Sequence, residues 1–171
     1  ILPSELFQGP YFCVAQEELQ QLYPGTELIA SSMLGCWTVQ YPDPGTALSL
    51  IIPTGKQQGY LRALLQSCIR YYPTGVFEEA LLLVQDDDLP SMQQFVQSWP
   101  HANTLPLRLL PTGGGAYNHA RSINLGLRAA HTELVVVCDD DIEWLDAQAL
   151  PALRRFFTQE SVALAAPRLV L

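Results

Sequence analysis

From residue 48 to residue 167 the apolar positions fall into two alternating regimes, short unbroken runs and stretches with apolar residues every three or four places. "LSLII" (48–52), "ALLLVQ" (80–85), "LPLRLL" (105–110), "ELVVVC" (133–138) and "SVALAAP" (161–167) are of the first kind and predict strands buried on both faces. In "QQGYLRALLQSCIRYY" Tyr60, Leu61, Leu64, Leu65, Cys68 and Ile69 share one helical stripe. "SMQQFVQSW", "NHARSINLGLRAA" (118–130) and "DAQALPALRRFFTQ" (146–159) predict three further helices. Strands alternating with helices predict an α/β fold: a mainly parallel sheet with helices on both faces.

Upstream the pattern weakens. "AQEELQQLY" (15–23) predicts a short helix, and "TELIASSM" and "CWTVQY" predict two strands. "YPDPG" (41–45), with two prolines and a glycine, interrupts any regular element. The chain thus divides into an N-terminal extension, or the remnant of a preceding module, over 1–47 and a main domain over 48–171.

Composition changes this picture in two ways. The 171 residues are 49% hydrophobic, enough for one proper core, and no run approaches the roughly 18 apolar residues of a membrane-spanning helix. The first residues show no basic-then-apolar signal peptide. Nine basic against seventeen acidic residues give a net charge of −8, which repels bare nucleic acid and excludes it as a partner. An anionic small ligand stays compatible, provided that a metal or a cluster of N–H donors offsets its charge. Four cysteines (13, 36, 68 and 138) show neither CxxC pairing nor histidines at zinc spacing, which predicts buried free thiols in a reducing cytosol.

Ligands of parallel sheets bind beyond the carboxyl ends of the strands. Polar clusters fall at those ends: Pro53-Thr54, Asp86-Asp87-Asp88, the glycines 113–115, and Asp139-Asp140-Asp141. Adjacent carboxylates after a buried strand are costly unless something positive meets them. They suit a hard divalent cation that keeps positions open for water and phosphate oxygens. The alternative, solvated loop acids or helix caps, is stronger for Asp86–Asp88, which precede "LPSMQQF", than for Asp139–Asp141. "PTGGGAYNHARSIN" joins flexible backbone to a helix start, a setting for an anion with His119 and Arg121 as phosphate partners, and equally for a mobile turn. It is neither a Walker loop nor GxGxxG, and "PTGK" (53–56) lacks the P-loop spacing. No HExxH and no Ser-His-Asp or Cys-His arrangement occurs, and Trp99, Trp144, Phe156 and Phe157 read as packing residues.

"LSLIIPT", then "LLLVQDDD", then "YNHARSINLGLRAAHTELVVVCDDDIEWLD", in this order and at these separations, resemble family 2 glycosyltransferases of GT-A fold. The likeness is to bacterial members that build O-antigen and other surface polysaccharides, and it covers about 48–171, their N-terminal nucleotide-sugar-binding half. The resemblance implies a Rossmann-like GT-A sheet that ends before the acceptor half. It implies a donor such as a UDP, GDP or dTDP sugar, and Mn²⁺ or Mg²⁺ as cofactor. Pro53 and Thr54 would border the base and ribose, and Asp86, or Asp87 one place on, would accept a hydrogen bond from the base. Asp139 and Asp141 would be the DxD pair at ribose and metal, with Asp140 as the alternative ligand. Asn124 belongs to the family's Asn-x-Gly helix, and Arg121 would stand in for the arginine missing from Ser122-Ile123-Asn124. Gly55-Lys56 departs from the usual residues after "IPT". The catalytic base is expected beyond Leu171, so none is assigned.

The implied function is metal-dependent transfer of a sugar to a saccharide or lipid-linked acceptor. The expected location is cytoplasmic, with peripheral association at the inner membrane face where the acceptor is lipid-linked. The alternative is a truncated, non-catalytic nucleotide-binding or interaction module. A sugar-phosphate nucleotidyltransferase would need a glycine-rich N-terminal motif, and none is present.

Overall fold

The computed structural model describes residues 10–30, 36–159 and 161–167. The chain divides into two units, one of Gly45–Ala147 and one combining Ile1–Pro44 with Gln148–Leu171.

In the second of these units α1 (Pro10–Leu22) is followed by β1 (Glu27–Ala30), which pairs antiparallel with β2 (Trp37–Gln40). The helix starts five residues before the predicted "AQEELQQLY", at a proline whose fixed φ and missing N–H suit a first helical position. Gln16 joins helix to strand: its Nε2 donates to Thr26 O at 2.8 Å and its Oε1 accepts from Leu28 N at 2.6 Å. Both predicted strands form, although residues 31–33 of "TELIASSM" lie outside the described residues.

The larger unit holds β3 (Leu48–Pro53), α2 (Gln58–Tyr71), β4 (Phe77–Val84), a 3₁₀ turn (Asp86–Asp88) and α3 (Leu89–Gln97). It continues with β5 (Leu107–Pro111), α4 (His119–Ala129) and β6 (Leu134–Val137). The strands form one parallel sheet in the order β5-β4-β3-β6. β3 is buried at every position and β4 at all but Glu78, as an all-apolar run in a parallel sheet requires.

Strand alternation puts Ser49, Ile51, Glu79, Leu81 and Leu83 on one face and Leu50, Ile52, Ala80, Leu82 and Val84 on the other. α4 packs on the first face, where Ile123 and Ala129 meet Ile51, Leu81 and Leu83. Gly126 lets it approach: a Cβ there would lie 2.6 Å from Ile51 Cγ2. The chain steps from β3 to β4 to β5 and then reverses to β6. Right-handed crossovers therefore set α2 and α3 on the face opposite α4, which covers both faces. The reversal makes the gap between β3 and β6 the topological switch point.

A buried carboxylate fastens the far end of this sheet. Glu79 Oε1 accepts from Ser49 Oγ at 2.9 Å and from His131 N at 3.0 Å, and its Oε2 accepts from Arg108 Nε at 3.0 Å and pairs with Nη2 at 2.9 Å. Arg108 also donates to Ala129 O, so one charge pair ties β3, β4, β5 and the turn from α4 into β6.

Three expectations are corrected. Residues 161–167 form no strand, and Leu164 there is 85% exposed. A short apolar run becomes a strand only where a neighbour completes its hydrogen-bond ladder, and among the described residues none does. The helix over 146–159 is shorter than predicted: α5 (Ala149–Arg154) runs into a 3₁₀ turn (Arg155–Thr158) on which Phe156 is exposed, not packed. Within its unit, α5 is anchored by Arg154, whose Nε and Nη2 each donate to the Asp43 carboxylate at 2.6 Å. Finally, all four cysteines are free, but only Cys68 and Cys138 are buried. Cys13 and Cys36 are exposed, in the smaller unit where β2 is open to solvent. Trp99 and Trp144 are buried packing residues as expected. Among the described residues no helix is long and apolar enough to cross a membrane.

Candidate functional site

The site grows from the last rungs of the sheet. Beyond β3, Thr54 N still donates to Leu83 O at 3.0 Å, and beyond β6, Cys138 N donates to Ile51 O at 3.1 Å. Thr54 and Asp139 therefore leave the ladder side by side at the switch point. Thr54 Oγ1 then donates to Asp140 Oδ2 at 2.6 Å and closes the gap between the two strand ends. The acidic segment is held from its other side as well. Trp144 N donates to Ser67 Oγ on α2 at 3.0 Å, and the Trp144 ring meets Tyr72 edge-on with centroids 5.5 Å apart.

These carboxylates have no protein counter-charge: among the described residues no Lys, Arg or His forms an ion pair with Asp139, Asp140 or Asp141. Nor do they cap a helix, because the next one begins at Ala149. Their field reaches two neighbours. The Tyr117 hydroxyl is pushed above its ordinary pKa by partial burial and then by the charges of Asp139 and Asp140. Cys138 is also pushed up, by burial first and then by Cys68, Asp139 and Asp140, while burial raises Cys68 to about 12.

An open cleft of about 430 Å³ lies over this floor, within the range of small-molecule sites. Pro53, Thr54 and Gly55 line it from β3, Gln85 and Asp88 from the end of β4, Tyr117 and His119 from the β5–α4 connection, and Asp139–Asp141 from β6. Of the residues singled out in the sequence, the fold brings Pro53, Thr54, His119, Asp139, Asp140 and Asp141 together here. Asp86 and Asp87 are not among the lining residues. The 3₁₀ turn after β4 brings Asp88 to the cleft instead, and leaves Asp86 beside the glycine loop with Oδ2 3.8 Å from the Cβ position of Gly114. Asp88 is the N-cap residue of α3, yet its side chain makes no capping bond, so the capping alternative is not realised.

Arg121 and Asn124 are exposed on α4 and do not line the cleft. Arg121 stays near the glycine loop, its Nη2 3.9 Å from the Cβ position of Gly113, and its backbone N–H donates to the N-cap Asn118 Oδ1 at 2.9 Å. The glycine run earns its composition, since Gly113 and Gly115 have φ of 87° and 100°, where side chains with a Cβ are strained. Gln85 Nε2 donates to Gly115 O at 3.2 Å and ties the loop to the end of β4. Gln85 and Tyr117 went unnoticed in the sequence, and Asp88 was noted only as a member of its acidic cluster. The available signal was position alone: each follows a strand end that already held a polar cluster.

A metal fits the chemistry of the donor set. Carboxylate and hydroxyl oxygens suit hard Mg²⁺ or Mn²⁺, which bind through one or two carboxylates and leave the remaining positions to water and phosphate. Among the described residues no three His, Cys, Asp or Glu side chains converge into a closed metal-binding group. The protein's share would then be an open, partial set, which Asp139 and Asp141 could provide.

A doubly wound α/β domain with an acidic cleft at its switch point is the class of protein that fold and site define. Residues 49–170 match the family model described as glycosyl transferase family 2, and the chain belongs to that family. The mannosyltransferase PcManGT from Pyrobaculum calidifontis, solved with GDP-Man and Mn²⁺, is similar in fold, with a TM-score of 0.59 and 17% identity over 88% of this chain and 41% of that one. TarS from S. aureus, solved with UDP-GlcNAc, aligns with a TM-score of 0.47 and 26% identity over 61% of this chain and 29% of its own. The chain spans less than half the length of either protein. No curated protein sequence matches it significantly. The expected Rossmann-like GT-A architecture and membership of family 2 are both borne out.

Proposed function

We propose that the chain is the donor-binding part of a glycosyltransferase. It takes a nucleotide-diphosphate sugar into the switch-point cleft, with Mn²⁺ or Mg²⁺, and serves sugar transfer to a saccharide or lipid-linked acceptor in surface-polysaccharide synthesis. The observation behind this reading is the unpaired Asp139–Asp141 floor, held on the last rungs of the sheet in a family 2 chain. A protein of the same fold that holds GDP-Man and Mn²⁺ supports it.

In this reading Pro53 and Thr54 border the base and ribose. Asp88, which lines the cleft, takes the base contact that the resemblance gives to Asp86 or Asp87. Thr54 holds Asp140 through their 2.6 Å bond and leaves Asp139 and Asp141 for the cation. Arg121, beside the glycine loop, and Asn124 on α4 stand outside the cleft and act on the ligand only from its rim. When bound, the cation would neutralise charge on the departing nucleoside diphosphate. The chain's own contribution is orientation, since a donor fixed on rigid strand ends loses little further freedom on the way to reaction.

Thermal unfolding tests this directly. Mn²⁺ together with UDP, GDP or dTDP should raise Tm, because saturation at a hundredfold excess over Kd stabilises by about 2.7 kcal/mol. The double variant Asp139→Asn/Asp141→Asn should abolish the shift while leaving the unliganded Tm nearly unchanged. Absence of a shift with all three nucleotides overturns the donor-site reading.

A further inference from the structure

The cleft has a second wall that the DxD reading leaves without a role. A diphosphate entering it meets the carboxylates of Asp88, Asp139, Asp140 and Asp141, so a protein group that donates to the phosphates adds to what a cation offsets. His119 is the one basic side chain among the lining residues. Its Nδ1 is already engaged, 3.0 Å from the hydroxyl of Tyr117, which lines the same wall. The nitrogen left for a ligand is therefore Nε2. It carries hydrogen in the neutral tautomer whose Nδ1 accepts from Tyr117 and in the cationic ring that donates to Tyr117, but not in the neutral tautomer whose Nδ1 is the donor.

We propose that Tyr117 and His119 form a direct grip on the ligand's diphosphate, His119 Nε2–H donating to a phosphate oxygen and Tyr117 acting as the positioning residue that fixes the ring. This rests on the donor-site reading and adds to it a protein group that touches the diphosphate directly. The carboxylates would hold the cation while His119 holds the anion. The pair occurs as Tyr-x-His one residue after the glycine run, Tyr117 just before and His119 just after the Asn118 cap that fixes the start of α4.

The test uses the full chain with Mn²⁺, titrated with UDP, GDP and dTDP by calorimetry and with the corresponding nucleosides by chemical-shift changes. His119→Ala should weaken nucleoside diphosphate binding about tenfold, a loss of roughly 1.4 kcal/mol, and leave nucleoside binding unchanged. Tyr117→Phe should weaken diphosphate binding about threefold. In ¹⁵N spectra of the imidazole it should also replace the single Nε2–H tautomer by a mixture, a change that a merely structural tyrosine would not produce. Both side chains are exposed, so the unliganded Tm should stay at the wild-type value. Wild-type binding of diphosphate with His119→Ala equally tight overturns this proposal alone, as does an equal loss of nucleoside and diphosphate. Failure of the wild type to bind any of the nucleotides removes the donor site and this grip together.

Discussion

Replacing Glu79 by Gln offers a quantitative test of how the sheet is held. The carboxylate is 5% exposed and its two oxygens accept four donors, two from Arg108 and one each from Ser49 Oγ and His131 N. An amide supplies one acceptor oxygen and one NH₂, so either orientation sets hydrogens against donors. Turned with NH₂ towards Arg108, it forfeits two charge-assisted bonds worth about 1.5–3 kcal/mol each. The Arg108 side chain is 38% exposed and turns to water, which recovers part of that loss. Turned the other way, the amide leaves the His131 N–H without an acceptor, at about 1–3 kcal/mol, while the Ser49 hydroxyl rotates to accept. The cheaper route sets the expectation at about 1–3 kcal/mol, below the roughly 3–5 kcal/mol for breaking a fully buried pair. In urea, with a slope of about 2 kcal/mol per molar, the midpoint should fall by about 0.5–1.5 M. Glu78→Gln, on the exposed neighbour, should stay within about 0.5 kcal/mol of wild type. Added salt should not close the gap between the two variants, because the Glu79 end is shielded from solvent. Equal midpoints for Glu79→Gln and Glu78→Gln would refute the assignment of Glu79 as the sheet's fastening.

Gly126→Ala should destabilise by about 1–2 kcal/mol in a calorimetric melt, since overpacking against Ile51 and Leu83 exceeds the helix propensity gained; a higher Tm would contradict the packing described. Thr54→Val should weaken Mn²⁺-dependent nucleotide binding by about three- to tenfold through the lost Asp140 bond, whereas Thr54→Ser should retain it, and calorimetric titration separates the two. The buried thiols make a pH prediction. The unfolded Cys68 ionises near 9.0 and the folded one near 12, so the stability they add is full below pH 9 and is lost as pH rises towards 12, at up to about 1.4 kcal/mol per unit for each thiol. Urea midpoints at pH 8 and pH 10 should therefore differ less in Cys68→Ala/Cys138→Ala than in wild type. A thiol reagent at neutral pH should modify Cys13 and Cys36 well before Cys68 and Cys138, as exposure dictates, with mass spectrometry as the readout.

The parallel core was legible because its strands are apolar throughout: "LSLII" and "LLLV" admit few alternatives when glycines, prolines and helical stripes separate them. The start of β4 was not. It lies at Phe77, ahead of two glutamates, and Glu79 is tolerated inside only because Arg108, 29 residues on, supplies a partner that no local pattern reveals. The run at 161–167 misled for the opposite reason, since apolar composition without a neighbouring strand specifies nothing. At the site, the acids after β6 stood out because three charges follow a buried strand directly. The choice of Asp88 over Asp86 and Asp87 depends on a 3₁₀ turn that rotates successive carboxylates by about 120°. Such a turn leaves no mark in "DDD" itself. Tyr117 was invisible because its interest lies in a bond to a side chain two places on, and tyrosines near loops are common.

The bond from Thr54 to Asp140 spans 86 residues of sequence, and it bears on how the molecule comes into being. A chain emerging N-terminus first can lay β3, β4 and β5 together, but one edge of β3, the most buried strand, stays open until β6 arrives. The last strand thus performs two acts in one step: it seals the vulnerable edge of the sheet and delivers the acids that complete the cleft. A chain arrested before residue 134 would be sticky and would also lack the floor of its cleft. The cleft would be completed only at the moment when the exposed edge disappears.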